Sequence, residues 1–176
     1  MSEQPFLFGE TWVPVRDGNI TGLSIFLRHY TARLTRKIRQ FVGPGGKMVL
    51  LTPDARALFV WRKFISDDAQ TGVNCAVFRN EGSSAGRSSK LIEAAKVLAW
   101  ERWPGERLYT YVDASQVRHK RDPGRCFLRA GFRYCGVTKG GKLILECLAE
   151  TCPLLTGDTL LRHNRFEVGT PQHLVE

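Results

Sequence analysis

The spacing of apolar residues changes period several times along the chain, and each change marks an element. Thr11 to Arg16 alternates as a short strand, with Pro14 assigning it to an edge or irregular position. Asp17-Gly18-Asn19 is a turn, and Asn19 or Thr21 can cap a helix. There Leu23, Leu27, Tyr30, Leu34, Ile38 and Phe41 recur at spacings of three and four, predicting one buried helical stripe that Gly43-Pro44-Gly45-Gly46 ends. Lys47 to Thr52 and Ala57 to Phe64 read as two strands joined by Pro53-Asp54-Ala55-Arg56, and Val73 to Phe78 as a fourth after a turn over Asp67 to Gly72.

A Gly/Ser-rich loop, Glu81 to Ser89, then leads into a helix that begins near Ser89 and stops at Pro104-Gly105. Its predicted buried side carries Leu91, Ile92, Ala95, Leu98 and Ala99, its polar side Glu93, Lys96, Glu101 and Arg102. Arg107 to Val112 is a fifth strand, Asp113 to Pro123 a polar connection, and Gly124 to Ala130 a short helix. Phe132 to Thr138 and Lys142 to Leu148 form a hairpin across Lys139-Gly140-Gly141. From Thr151 the pattern fades, which divides the chain into a domain over residues 1–150 and an extension over 151–176.

Charge changes this picture. Lys and Arg number 26 against 17 Asp and Glu, a net charge of +9, which favours a polyanionic partner such as DNA or an anionic nucleotide cofactor. The cations gather on the first helix (Arg28, Arg33, Arg36, Lys37, Arg39) and again at Arg118, Lys120, Arg121 and Arg125, as a solvated surface or a docking face. Cys75, Cys126, Cys135, Cys147 and Cys152 lie mostly in apolar surroundings with no CxxC pair, and read as reduced thiols. With no signal-peptide pattern and no membrane-length apolar span, the expectation is a cytoplasmic protein with no membrane partner and no metal-ligand pattern.

A strand that passes through small residues into a helix can present unpaired backbone N–H groups and the positive end of the helix dipole to a phosphate. Loops of this composition also serve as plain connections.

The element order, the loop before Leu91-Ile92 and the short helix ending in Ala130-Gly131-Phe132 resemble the GNAT N-acetyltransferase superfamily over about Trp12 to Leu148. The resemblance implies an α+β fold with a mixed, mostly antiparallel sheet of six to seven strands and helices on both faces. It also implies acetyl-CoA or another acyl-CoA, with its pyrophosphate on the loop: Gly86 takes the first glycine position of the family's motif, Ser88 the second, and Ser83 that of the Gln or Arg. The cofactor-binding set is then Phe78, Arg79, Ser83, Ser84, Ala85, Gly86, Arg87, Ser88 and Ser89. Phe127 stands where the family often has the tyrosine that protonates the departing thiolate, leaving Cys126 or Tyr134 as substitutes.

Val-Phe-Arg-Asn-Glu-Gly (Val77 to Gly82), Ala-Trp-Glu-Arg-Trp-Pro (Ala99 to Pro104), Tyr109 to Val112 and Pro123 to Phe127 look like phage GNAT-like proteins associated with hypermodified DNA bases. His29-Tyr30 is similar to a pair in phage Mom-type DNA modification proteins, which have been linked to iron. For amine attack on a thioester the candidate bases are Glu81 and Asp113 at strand ends, with His29 and His119 of more suitable ordinary pKa; catalysis by proximity is the alternative. Trp61, Trp100, Trp103, Tyr109 and Tyr111 are candidates for stacking an extruded base, with core packing the competing role. Three functions remain open: an acyl-CoA-dependent N-acyltransferase acting on an amine-bearing or hypermodified DNA base, a Mom-like base-modifying enzyme with another donor and iron, or a non-catalytic DNA-binding module.

Overall fold

The computed structural model describes residues 11–32, 40–116 and 122–151. The chain forms an α+β domain on a seven-stranded, mostly antiparallel sheet of order β1-β2-β3-β4-β5-β7-β6. The strands are β1 (Val13–Val15), β2 (Gly46–Leu51), β3 (Ala57–Lys63), β4 (Val73–Asn80), β5 (Leu108–Val112), β6 (Arg133–Val137) and β7 (Leu143–Cys147). The helices are α1 (Ile20–Phe26), α2 (Ser88–Arg102) and α3 (Arg125–Arg129). Of the edge or irregular position that Pro14 predicts, β1 takes the edge.

Alternation along β3 divides the core. Ala57, Phe59 and Trp61 face α2 and pack with Leu91, Ile92, Ala95 and Ala99, and with Phe127 and Ala130 at α3. Leu58 and Val60 face the other way, against Ile25 and Phe26 of α1 and against Phe41. Helices thus lie on both faces. Buried tryptophans tie the α2 layer down: Trp12 Nε1 donates to Leu91 O at 2.9 Å and Trp61 Nε1 to Ala95 O at 2.9 Å.

The join between β4 and β5 positions the site. These strands run parallel, and only Val73, Asn74 and Cys75 pair, with Leu108, Tyr109 and Thr110. The next residue, Ala76, is skipped in the β3 register, where Val60 faces Val77 but Trp61 faces Cys75. An extra residue of this kind bends a strand and increases its twist. From Ala76 to Asn80, β4 keeps β3 on one side and, among the described residues, has no strand on the other, so the sheet opens into a wedge.

Two expectations are corrected. The helix after Asn19 ends at Phe26. Leu27 and Tyr30 of the predicted buried stripe are exposed, and Phe41 is buried from a bend; Leu34 and Ile38 lie outside the described residues. The α-helical ladder gives way first to i→i−3 bonds, Arg28 N–H to Ile25 O and His29 N–H to Phe26 O; past that point Arg79 Nη1 donates to Arg28 O at 2.7 Å, and Ala32 N–H donates to His29 O at 2.9 Å. Lys96, placed on the polar side of α2, is 1% exposed. Its Nζ donates to Ala130 O beyond the last turn of α3 and lies 5.7 Å from the Trp100 ring centroid and 5.9 Å from that of Phe132.

Candidate functional site

The wedge between β4 and β5 opens into a cavity of about 490 Å³. Cys75, Ala76 and Phe78 form one wall and Thr110, Tyr111 and Val112 the other. The start of α2 contributes Arg87, Ser88 and Ser89, the α3 segment Gly124, Arg125, Cys126, Phe127 and Arg129, and the turn after α1 His29 and Tyr30. Phe127, 6% exposed, packs edge-on to Phe78 with centroids 5.9 Å apart and closes the apolar side of the cavity.

The loop into α2 is built mainly by two side chains. Asn80 Oδ1 accepts the N–H groups of Gly82 and Ser83 at 3.0 and 2.8 Å, while its Nδ2 donates to Ser88 Oγ at 3.2 Å and Gly86 O at 3.4 Å. Asp54, from the β2–β3 turn, accepts the hydroxyls of Ser83 and Ser84 and the Ser84 N–H, the last at 2.7 Å. Although desolvation opposes it, hydrogen bonding from Thr52, Ser84 and Ser83 holds the Asp54 carboxyl well below the usual carboxylate range. Ala85 N–H donates to Ser83 Oγ at 3.2 Å and Gly86 N–H to Ser83 O at 3.4 Å. In this part of the predicted cradle, therefore, Ser83, Ser84 and Ala85 commit their donors to the protein itself, beside a carboxylate.

The next N–H groups differ. α2 has Arg87 as its N-cap with no side-chain capping bond, and among the described residues the N–H groups of Arg87, Ser88, Ser89 and Lys90 make no hydrogen bond. These are the orphan donors of a helix start, carrying the positive end of its dipole. Arg87, Arg125 and Arg129 line the same cavity, and none forms an ion pair among the described residues. Sequence reading singled out Arg87 and Arg125 and missed Arg129, whose i,i+4 spacing from Arg125 puts both on one face of α3. The start of α2 can therefore receive an anion at Arg87 to Lys90, displaced toward the helix from the centre of the predicted loop.

The candidate acid–base residues separate. Glu81 accepts both Arg28 Nε and Nη2, at 2.7 and 2.6 Å, and Arg79 Nε at 2.6 Å. The Arg28 hydrogen bond leads in holding its carboxyl at about 2, which makes Glu81 a poor base, and its side chain does not line the cavity. Asp113, just past β5, is bound by Ser115 Oγ at 2.6 Å and Ser115 N–H at 3.0 Å, and also lies off the lining. The Ser115 hydrogen bond lowers its pKa.

His29 does line the cavity. Burial pushes its imidazole down to about 4, Arg79 adds to this, and the Phe78 backbone opposes it. Its Nδ1 faces Thr31 Oγ1 at 2.7 Å and the Thr31 N–H at 3.3 Å, so the ring is fixed, and it stacks on Tyr30 with centroids 4.5 Å apart. Tyr30 also faces the cavity, its phenol pKa raised by burial. Tyr111 points its hydroxyl at Asp68, at 2.7 Å to Oδ1 and 2.8 Å to Oδ2. Cys126 lines the cavity as a thiol whose pKa burial raises, whereas Tyr134 donates to Pro123 O at 2.7 Å on the outside. Among the described lining residues, Tyr30 and Cys126 bear protons not committed to an Asp or carbonyl acceptor, as do the hydroxyls of Ser88 and Ser89 at the start of α2.

Of the aromatic residues considered for base stacking, Trp61, Trp100 and Tyr109 are buried in the fold, and Tyr111 lines the cavity. Arg28 is drawn into the Glu81 cluster. Arg33, Arg36, Lys37, Arg39, Arg118, His119, Lys120 and Arg121 lie outside the described residues. Among the described residues no group of three or more His, Cys, Asp or Glu could hold a metal ion, and no helix is long and apolar enough to cross a membrane. No family model, curated protein or solved structure matches the chain.

Proposed function

We propose that the chain is a GNAT-like N-acyltransferase that uses an acyl-CoA donor and acts on an amine-bearing or hypermodified base in DNA. The observation that carries this reading is the wedge between β4 and β5, with the unengaged α2 amides and Arg87, Arg125 and Arg129 on its lining. A cavity whose lining combines Arg87, Arg125 and Arg129, in excess over the Asp122 carboxylate, with the apolar side chains of Phe78, Val112 and Phe127 fits a phosphorylated ligand with an apolar arm.

Acyl-CoA supplies a thioester carbonyl there. The amides of Arg87 to Lys90 and the three arginines bind the phosphates, and Phe78 and Phe127 exclude water. The acceptor nitrogen forms a bond to the acyl carbon as the carbon–sulfur bond breaks. The nitrogen loses its proton to solvent, and the Tyr30 phenol supplies one to the leaving sulfur in place of the tyrosine that Phe127 replaces. The excess of cations favours a polyanionic acceptor.

Titration calorimetry with acetyl-CoA tests the donor, and the expected result is binding with a dissociation constant of about 1 mM or tighter, the usual substrate range. No heat at millimolar ligand overturns the reading. Incubation with acetyl-CoA and phage DNA carrying amine-bearing bases, followed by mass analysis of the nucleosides, tests the acceptor. Transfer to small amines or protein lysines but not to DNA would replace that part of the proposal.

A further inference from the structure

The cluster of Arg28, Arg79 and Glu81 lies outside the cavity lining, yet it touches the turn that carries His29 and Tyr30. Glu81 accepts two hydrogen bonds from Arg28 and one from Arg79, and Arg79 Nη1 donates to the backbone carbonyl of Arg28 at 2.7 Å. Glu81 is itself fixed by its N–H, which donates to Arg56 O at 2.8 Å at the start of β3. The end of β4 therefore grips both the side chain and the main chain of the residue before His29.

We infer that Arg79 and Glu81, acting through Arg28, are positioning residues that hold the turn after α1 in the one conformation that delivers His29 and Tyr30 to the cavity. For the role of Tyr30 this rests on the acyltransferase reading. The other bonds of the turn are mostly local. Leu27 and Tyr30 are 41% and 46% exposed, the backbone bonds are Leu27 N–H to Leu23 O, Arg28 N–H to Ile25 O, His29 N–H to Phe26 O and Ala32 N–H to His29 O, and Thr31 holds His29 Nδ1. Beyond these, backbone contacts of Phe78 with His29 and of Asp113 with Tyr30 tie it to the sheet, and fixing the turn against β4 costs conformational entropy that the arginine–carboxylate contacts help to offset. Charge-assisted, two-point arginine–carboxylate bonds supply both energy and direction. The His29–Tyr30 stack then passes the position of the turn on to the phenol.

A test that does not depend on turnover follows the Cε1–H signal of His29 by NMR through a pH titration, assigned with His29→Gln. In the wild type the expected His29 midpoint is about 4. In Glu81→Gln, release of the turn exposes the ring, and its pKa rises toward the ordinary value of about 6.5. Loss of a nearby negative charge with the turn unmoved has the opposite sign, leaving His29 at or below its wild-type value; that result overturns the inference. The indole N–H signals of Trp12, Trp61 and Trp100 check that the core is intact. Arg28→Lys is the second variant: it keeps the charge and loses the two-point grip, so His29 shifts upward here too, and an unchanged titration counts against the clamp. With acyl-CoA turnover as the second readout, both variants lower kcat by about tenfold or more while donor affinity stays within about twofold. Wild-type protein without turnover overturns the acyltransferase reading, and the NMR result still decides whether the clamp holds the turn.

Discussion

Asp54 accepts the backbone N–H of Ser84 at 2.7 Å, so the turn of the β2–β3 hairpin holds the loop that leads into α2. The same carboxylate takes both serine hydroxyls. Its negative charge lies where a phosphate would need the donors of Ser83 and Ser84, and this leaves the amides from Arg87 onward as the available ones.

Replacing Asp54 by Ala should lower stability by about 1–2 kcal/mol, since several charge-assisted hydrogen bonds are lost from a partly solvated site. The pH dependence has a definite sign. The folded pKa of Asp54 is depressed, so its contribution is present above the ordinary carboxylate pKa of about 3.9 and is lost as pH falls below that value. Urea denaturation of wild type and variant at several pH values should show curves that converge in acid. A difference that widens in acid would contradict the assignment.

Gly86 has φ +149, and a Cβ there would meet only Lys90 Cβ at 3.8 Å and Leu91 Cδ2 at 3.9 Å. Space is available and the backbone conformation is the obstacle, so Gly86→Ala should cost about 1 kcal/mol. Gly86→Asp adds a carboxylate beside the α2 amides and should abolish acetyl-CoA binding in calorimetry while thermal unfolding remains cooperative. Wild-type affinity in this variant would falsify the anion site at Arg87 to Lys90.

Removal of the Tyr30 hydroxyl in Tyr30→Phe should keep donor affinity and lower kcat by about 10²-fold, the usual contribution of a positioned general acid. Thiol release followed with a chromogenic disulfide measures it. Cys126→Ala is the control: if that variant loses turnover and Tyr30→Phe does not, the proton comes from the thiol.

Lys96→Ala should be among the most destabilising single changes on α2, at about 2–4 kcal/mol, because it removes a side chain that is 1% exposed and leaves Ala130 O without that donor. Lys96→Met keeps the apolar stem and should recover part of the loss. Denaturant midpoints of the two variants give the comparison.

How much was legible in advance follows from the range of each interaction. All seven strands and the helices at Ser88 and Arg125 were visible as local periods, to within one or two residues at most ends. Sequence overextends the first helix because Leu27 and Tyr30 continue an apolar spacing that is real in sequence, while the turn that replaces the helix there is held by Arg79, 51 positions away from Arg28. The site was legible in part. His29, Tyr30, Phe78, Arg87, Ser88, Ser89 and Arg125 all reach the cavity. Glu81 fits a base by residue type and strand-end position, and only its contact with two arginines removes it from that role.

The sequence by itself determined where the strands and the second and third helices lie, and where the first helix begins, since side chains two residues apart share a strand face and those three or four apart share a helix face. It also limited β1 to an edge or irregular position through Pro14, and set the excess of positive charge. Only the tertiary structure decided that β4 pairs with β5 for three residues and then turns away at Ala76. It likewise decided that Asp54 takes the serines of the loop, that Lys96 is buried, and that Glu81 holds arginines. Each of these depends on which groups, distant in sequence, meet once the core has packed. Local spacing carries no record of that, because the energy of a buried polar group is set by the partner it finds.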